Sequence, residues 1–220
     1  MDENEEDLFN MRCDAILVLC ALDGLKKYLD VMEAQMEEVW HIERHVLKSE
    51  PPAGDEEEHD QHWHVVNNLD RVYETELYPA MRYSFIVLLQ IFTETQLRSF
   101  CWELQTERHL SIGVTDLKGT AIEQIRSFLT KLVGVGAQDF PQKEWEDLRT
   151  LQKIRDCIVH AYGRVKDSRD EAFLRELASK GAGISIGDDG RLLVVKDFCQ
   201  QRLVNLRSLF KRLFKAVGWA

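Results

Sequence analysis

At 220 residues, 45% hydrophobic and 30% charged, the chain is long enough to bury a core as one domain, or one domain with an appendage. Asp2, Glu3, Glu5, Glu6 and Asp7 give the start the wrong sign for a signal peptide, and the longest apolar run, Ala15 to Leu22, is too short to span a bilayer. No membrane partner is therefore expected. Cys13, Cys20, Cys101, Cys157 and Cys199 lie in helical patterns without a CxxC pair, which argues against a disulfide framework and for a cytoplasmic setting.

In chain order, residues 7–48 predict one long helix, or two joined near Gly24. Leu8, Met11, Ala15, Val18, Leu22, Leu25, Leu29, Met32, Met36 and Val39 form a stripe spaced by threes and fours. Such a helix is longer than a small bundle needs, so part of it is expected to serve a partner subunit. Ser49–Gln61, with two prolines, a glycine and many acids, predicts a mobile loop. Residues 1–64 thus read as a long helix and acidic loop, and 65–220 as a helical bundle.

A second helix is expected over Val65–Glu107, kinked or divided at Pro79. It is apolar nearly all round from Tyr83 to Phe92 and so central. A third fits Leu117–Val133, ended by Gly134–Gly136, and a fourth starts at Pro141 and runs to Gly163. Asp170–Lys180 is a short helix stopped by Gly181. Ile184–Ile186 and Leu192–Val195 flank Gly-Asp-Asp-Gly, a hairpin signal. Asp197 is expected to cap a last helix through Val217, with Phe198, Leu206, Leu209, Phe210, Leu213 and Phe214 inward. The fold class is all-α: a helical bundle with a long N-terminal helix and one small β-hairpin before the C-terminal helix.

Within the fourth helix, Leu148, Leu151, Val159 and Tyr162 share one side at 100° per residue. Arg155 projects into that stripe, within about 20° of Leu148, and His160 lies roughly 140° around from Arg155. A guanidinium on an apolar face is costly unless it is paired or meets a ligand. Charge adds a second pointer: the net is −15 over residues 1–110 and +5 over 111–220, so the half containing Arg155 and His160 suits a polyanion. The plainer reading of that asymmetry is a set of solvated N-terminal acids.

Arg155-Asp156-Cys-Ile-Val-His160, an R-x4-H motif late in a helical chain after a buried helix, resembles the HEPN superfamily over about Leu77–Phe214. The resemblance implies a metal-independent endoribonuclease with a toxin or defence role, working as a homodimer on RNA and without cofactor. The family usually has a polar residue, often asparagine, where Asp156 stands. The residue types suit the chemistry. Histidine serves either proton role, and arginine offers a fixed fork to phosphate oxygens. A two-fold dimer would supply two of each. Asp156, one turn before His160, is expected to orient its ring. In the competing reading, Arg155 pairs with a buried carboxylate such as Glu94 and His160 is a plain surface residue.

Tyr162 extends the motif to R-x4-H-x-Y, similar to HEPN toxins whose antitoxin partner adenylylates that tyrosine. Its place on the apolar stripe makes core packing the favoured expectation. His41 and His45 share a helical face, and His59, His62 and His64 sit among acids, but solvated histidines are expected and no metal site. Gly134-Val-Gly136 follows a helix and lacks a lysine, so it is a turn. Two other functions stay open: a non-catalytic HEPN-like module binding RNA or a nucleotide, and a helical scaffold that docks a partner on its first helix.

Overall fold

In the computed structural model, which describes residues 12–49, 55–181 and 183–220, helices dominate and one antiparallel hairpin precedes the last of them. α1 (Cys13–Ser49) runs unbroken through Gly24, about 55 Å at 1.5 Å per residue. Its first half sends Ala15, Leu19, Leu22 and Leu29 into the main core. Leu8 and Met11 lie outside the described residues, and Val39, expected inward, is exposed. There α1 has left the core and pairs with α2 (Glu56–Val72). Trp40 Nε1 donates to Asp70 Oδ1 (2.9 Å) and Tyr73 Oη to Glu43 Oε2 (3.0 Å).

α2 overturns part of the expected acidic loop. Residues 50–54 lie outside the described set, but the chain is helical from Glu56 onward. Asp55 caps it, accepting from the Glu58 N–H at 3.1 Å, and Glu56, Glu57 and Glu58 fill the first turn. Carboxylates there meet the positive end of the helix dipole, so this acid run marks a helix start. The expected boundary at 64/65 consequently falls inside a helix. What stands apart from the main core is α2, with Val66 buried outside the main cluster, and the outer half of α1.

A π-helical turn, Tyr73–Leu77, joins α2 to α3 (Tyr78–Glu107) with the backbone helical throughout, so Pro79 does not divide the segment and the irregular turn falls just before it. Proline has no N–H to give the carbonyl four residues back; Arg191 Nη2 donates to that Thr75 oxygen instead, at 3.4 Å. α3 is the central helix, burying Tyr83, Phe85, Ile86, Leu89, Leu97, Phe100 and Leu104 among others. It packs on α1, α4 (Ala121–Ser127), α5 (Gln142–Ala161) and α7 (Lys196–Val217).

The third helix begins at Ala121, four residues later than expected, because a Thr120–Glu123 capping box sets its start. A π turn, Phe128–Leu132, carries it on to Gly134. After α5 come α6 (Glu171–Ser179) and the hairpin of β1 (Ile184–Ile186) and β2 (Leu192–Val194), paired Ile184 to Val194. Val195 occupies the cap of α7, and Asp197 lies within its first turn, so the expected Asp197 cap is corrected. The six expected inward residues of α7 are all buried. Among the described residues no helix is long and apolar enough to cross a membrane.

Ion pairs join the layers. Glu33, 5% exposed on the inner face of α1, takes Arg82 Nε at 2.7 Å and Nη2 at 2.9 Å, while Arg82 Nη1 reaches the Val194 carbonyl at 3.1 Å. Arg202 and Arg212 tie α7 to Asp147 and Glu144 of α5, and Arg207 ties it to Asp23 of α1. Of these pairs only Arg207–Asp23 sets a cation of the basic second half against an acid of the first.

Candidate active site

The buried apolar positions of α5 are Trp145, Leu148, Leu151, Ile154 and Cys157, with Ile158 beside them. They recur every three residues. Three residues turn 300°, so the buried stripe steps back about 60° each time and swings half a turn between Leu148 and Cys157. Leu148 and Leu151 are buried as expected, but Val159 and Tyr162 are not: they are 51% and 63% exposed. The expected core role of Tyr162 is therefore overturned. Arg155 stands at the border of the stripe, its side chain 29% exposed. His160 is exposed. Val159 and His160 are thus open on the last turn, and Arg155 is partly open one turn before them.

The end of α5 is held in place by backbone contacts. Tyr162 adopts a left-handed conformation (φ 50°), Gly163 follows at φ 77°, and the Gly163 N–H closes on the Cys157 carbonyl at 3.1 Å. The Leu192 N–H donates to the Gly163 carbonyl (2.9 Å) and the Val165 N–H to that of Gly190 (3.0 Å), so the hairpin grips the chain just after His160. Tyr83 Oη donates to the Leu192 carbonyl from below. Arg191 anchors the same hairpin to Glu76 (2.8 Å) and Asp189, and stands 5.8 Å from the Tyr162 ring.

A Cβ on Gly163 would lie 2.1 Å from Tyr83 Oη. Gly163→Ala is expected to cost at least about 2 kcal/mol, from left-handed strain plus displacement of Tyr83. Urea denaturation measures the loss; an unchanged midpoint would contradict this account of the α5 terminus.

The charges around Arg155 are paired differently than expected. Arg155 Nη1 donates to Asp156 Oδ1 at 2.8 Å, and Arg169, from the segment before α6, donates to Asp156 Oδ2. Asp156 is buried, 7% exposed. Both oxygens are committed to guanidiniums, so the expected Asp156 hydrogen bond to His160 is absent, and His160 has no polar partner among the described residues. Glu94 does not pair with Arg155; it sits 3.4 Å from Arg98 on its own helix. Arg155 Nε is buried without an acceptor. Lys153 and Arg169 flank Asp170 at 3.0 and 3.4 Å. The cluster holds Lys153, Arg155 and Arg169 against Asp156 and Asp170.

A groove of about 480 Å³ runs between α3 and α5, lined by Ala80, Val87, Leu88, Ile91, Ile158 and Tyr162 among others. Leu88 and Ile91 are exposed on α3, as Val159 and Tyr162 are on α5. Contiguous apolar surface of this kind marks an interaction face.

The other candidates lead nowhere. His41, His45 and His64 are exposed and His59 and His62 half-buried, and among the described residues no three metal-ligating side chains converge. Gly134, at φ 82°, is a turn as expected. Burial raises the Cys101 and Cys199 thiols to about 12, which leaves them unreactive.

Sequence reasoning missed Arg169, which has no local signal in Lys-Asp-Ser-Arg-Asp, and the exposed pair Leu88 and Ile91, hidden in a run that reads as wholly buried. Comparisons with family models, with curated proteins and with solved structures return no match for this chain.

Proposed function

We propose that the chain is a metal-independent endoribonuclease of the HEPN type, with its reaction centre shared between two copies. The observation that carries this reading is an exposed His160 and a partly exposed Arg155 on the last turns of α5, a helix that also lines an apolar groove. A two-fold contact through Leu88, Ile91 and Val159 would bring two α5 ends together with two arginines and two histidines. One His160 takes the proton of the RNA 2′-hydroxyl, and the 2′-oxygen attacks phosphorus. The partner subunit's His160, protonated, gives its proton to the leaving 5′-oxygen, and a 2′,3′-cyclic phosphate remains. Arg155 balances charge on the phosphate oxygens. Exposure of Tyr162 agrees with the alternative role implied for it, an adenylylation target for an antitoxin.

The deciding experiment incubates total RNA with wild type and His160→Ala in EDTA and analyses the ends. Chelator-resistant, His160-dependent cyclic phosphate ends support the reading; His160-independent cleavage ends it. A second measurement addresses the dimer. Ile91→Arg, at an exposed position, is expected to leave the fold intact, convert the dimer to monomer in sedimentation velocity and remove cleavage. A folded dimer with full activity would refute the shared centre.

One observation favours a second reading. His160 lacks an orienting carboxylate, because Asp156 turns both oxygens to guanidiniums. A histidine left unoriented suits a module that binds RNA through Arg155 without proton chemistry. Salt-sensitive RNA binding with no cleavage product would establish it.

A further inference from the structure

Resting on the ribonuclease reading, we propose that Asp156 joins Arg155 and Arg169 into a two-armed clamp for RNA phosphates, with Arg169 as the second phosphate-binding cation. Asp156 carries one charge, and Arg155 alone balances it. Arg169 Nε also lies 3.4 Å from Asp170, which Lys153 holds as well, so the cluster sets three cations against two carboxylates and keeps a surplus positive charge. A group present only to neutralise Asp156 would be buried with it. Asp156 has a side-chain exposure of 9%, whereas that of Arg169 is 74%.

Of the two guanidiniums, Arg169 is the open one. Arg169 uses Nη2 on Asp156 Oδ2 and sets Nε 3.4 Å from Asp170, and its Nη1 has no protein acceptor among the described residues. Arg155 uses Nη1 on Oδ1 and keeps a buried Nε without an acceptor. A carboxylate holding one guanidinium on each oxygen sets the two forks side by side at a fixed spacing. Asp156 lies one residue after Arg155 and one turn before His160, so the carboxylate that Arg169 grips falls between the two motif residues around the helix. Phosphodiester oxygens are the acceptors such forks match.

Asp156 thereby takes on a role of its own. An acid beside a phosphate site is unfavourable when bare; here it is covered by two cations and recruits the second. An asparagine at this position would hold Arg169 only weakly.

The test uses the full chain carrying His160→Ala, so that cleavage does not confuse binding, and a short labelled single-stranded RNA of mixed sequence. Affinity is measured against salt concentration. Arg169→Gln is expected to weaken binding and flatten the slope of log K against log salt by about 0.7. Asp156→Asn should act in the same direction, and Arg169→Lys should keep the slope while losing some affinity. An unchanged slope and affinity in a folded Arg169→Gln protein overturns the proposal. So does a lowered melting temperature with the slope intact, which would make Arg169 a fold staple.

The two ideas fail separately. If the wild type cleaves through His160 but Arg169→Gln binds normally, only the clamp is lost. If the wild type never cleaves but Arg169→Gln flattens the slope, the clamp stands and the ribonuclease reading falls. Absence of any RNA binding removes both.

Discussion

His160→Ala should lower RNA cleavage about 10³-fold, or roughly 4 kcal/mol of transition-state stabilisation, as expected for a lost proton-transfer group. The same substitution should leave the melting temperature unchanged, because the side chain is exposed and has no polar partner among the described residues. That separation of effects is what distinguishes a reacting group from a structural one. Mixing subunits sharpens it. If both histidines act in one centre, each dimer containing a single His160→Ala chain is inactive. Co-refolding equal amounts of wild type and variant then yields about one quarter of full activity, since only dimers of two wild-type chains work. A half-maximal yield would mean that each chain works alone, and the shared centre would be wrong.

Glu33→Ala should destabilise the fold by about 3 kcal/mol, the low end for breaking a buried ion pair, because Arg82 keeps 18% side-chain exposure. For a chain of this size that corresponds to a fall of roughly 6–12 °C in melting temperature. The cost comes from stranding Arg82. Its two bonds to Glu33 are lost, while its third, to the Val194 carbonyl, still ties it to the hairpin. Replacing both partners, Glu33→Leu with Arg82→Met, should recover much of the loss, since two apolar side chains strand no charge. Additive penalties in that double-mutant cycle would mean that the pair does not act as a unit.

Glu33 and Arg155 tell opposite stories about one rule, that a charge in an apolar stripe needs a partner. Applied to α1, the rule finds Glu33, which falls within about 40° of Ala15, Leu22 and Leu29 at 100° per residue. Arg82 is its partner. Applied to α5, it selects Arg155 on a mistaken premise, that the stripe keeps a constant angle. A stripe repeating every three residues rotates along its helix, and the error grows with length, which is why Leu148 was read well and Tyr162 badly. The acid run before α2 misled differently. Its composition reads as loop, but Asp55 and the following glutamates are also what a helix N-terminus favours.

Local periodicity, turn residues and caps determined from sequence alone that this chain is helical, where most helices run, and that a hairpin precedes α7. These are short-range effects, carried by residues within a turn or two of each other. Tertiary structure decided which side of α5 faces outward, that Asp156 holds Arg169 and not His160, and that Leu88 and Ile91 lie uncovered. Each depends on which element packs against which face, a long-range outcome that one helix's own pattern does not encode.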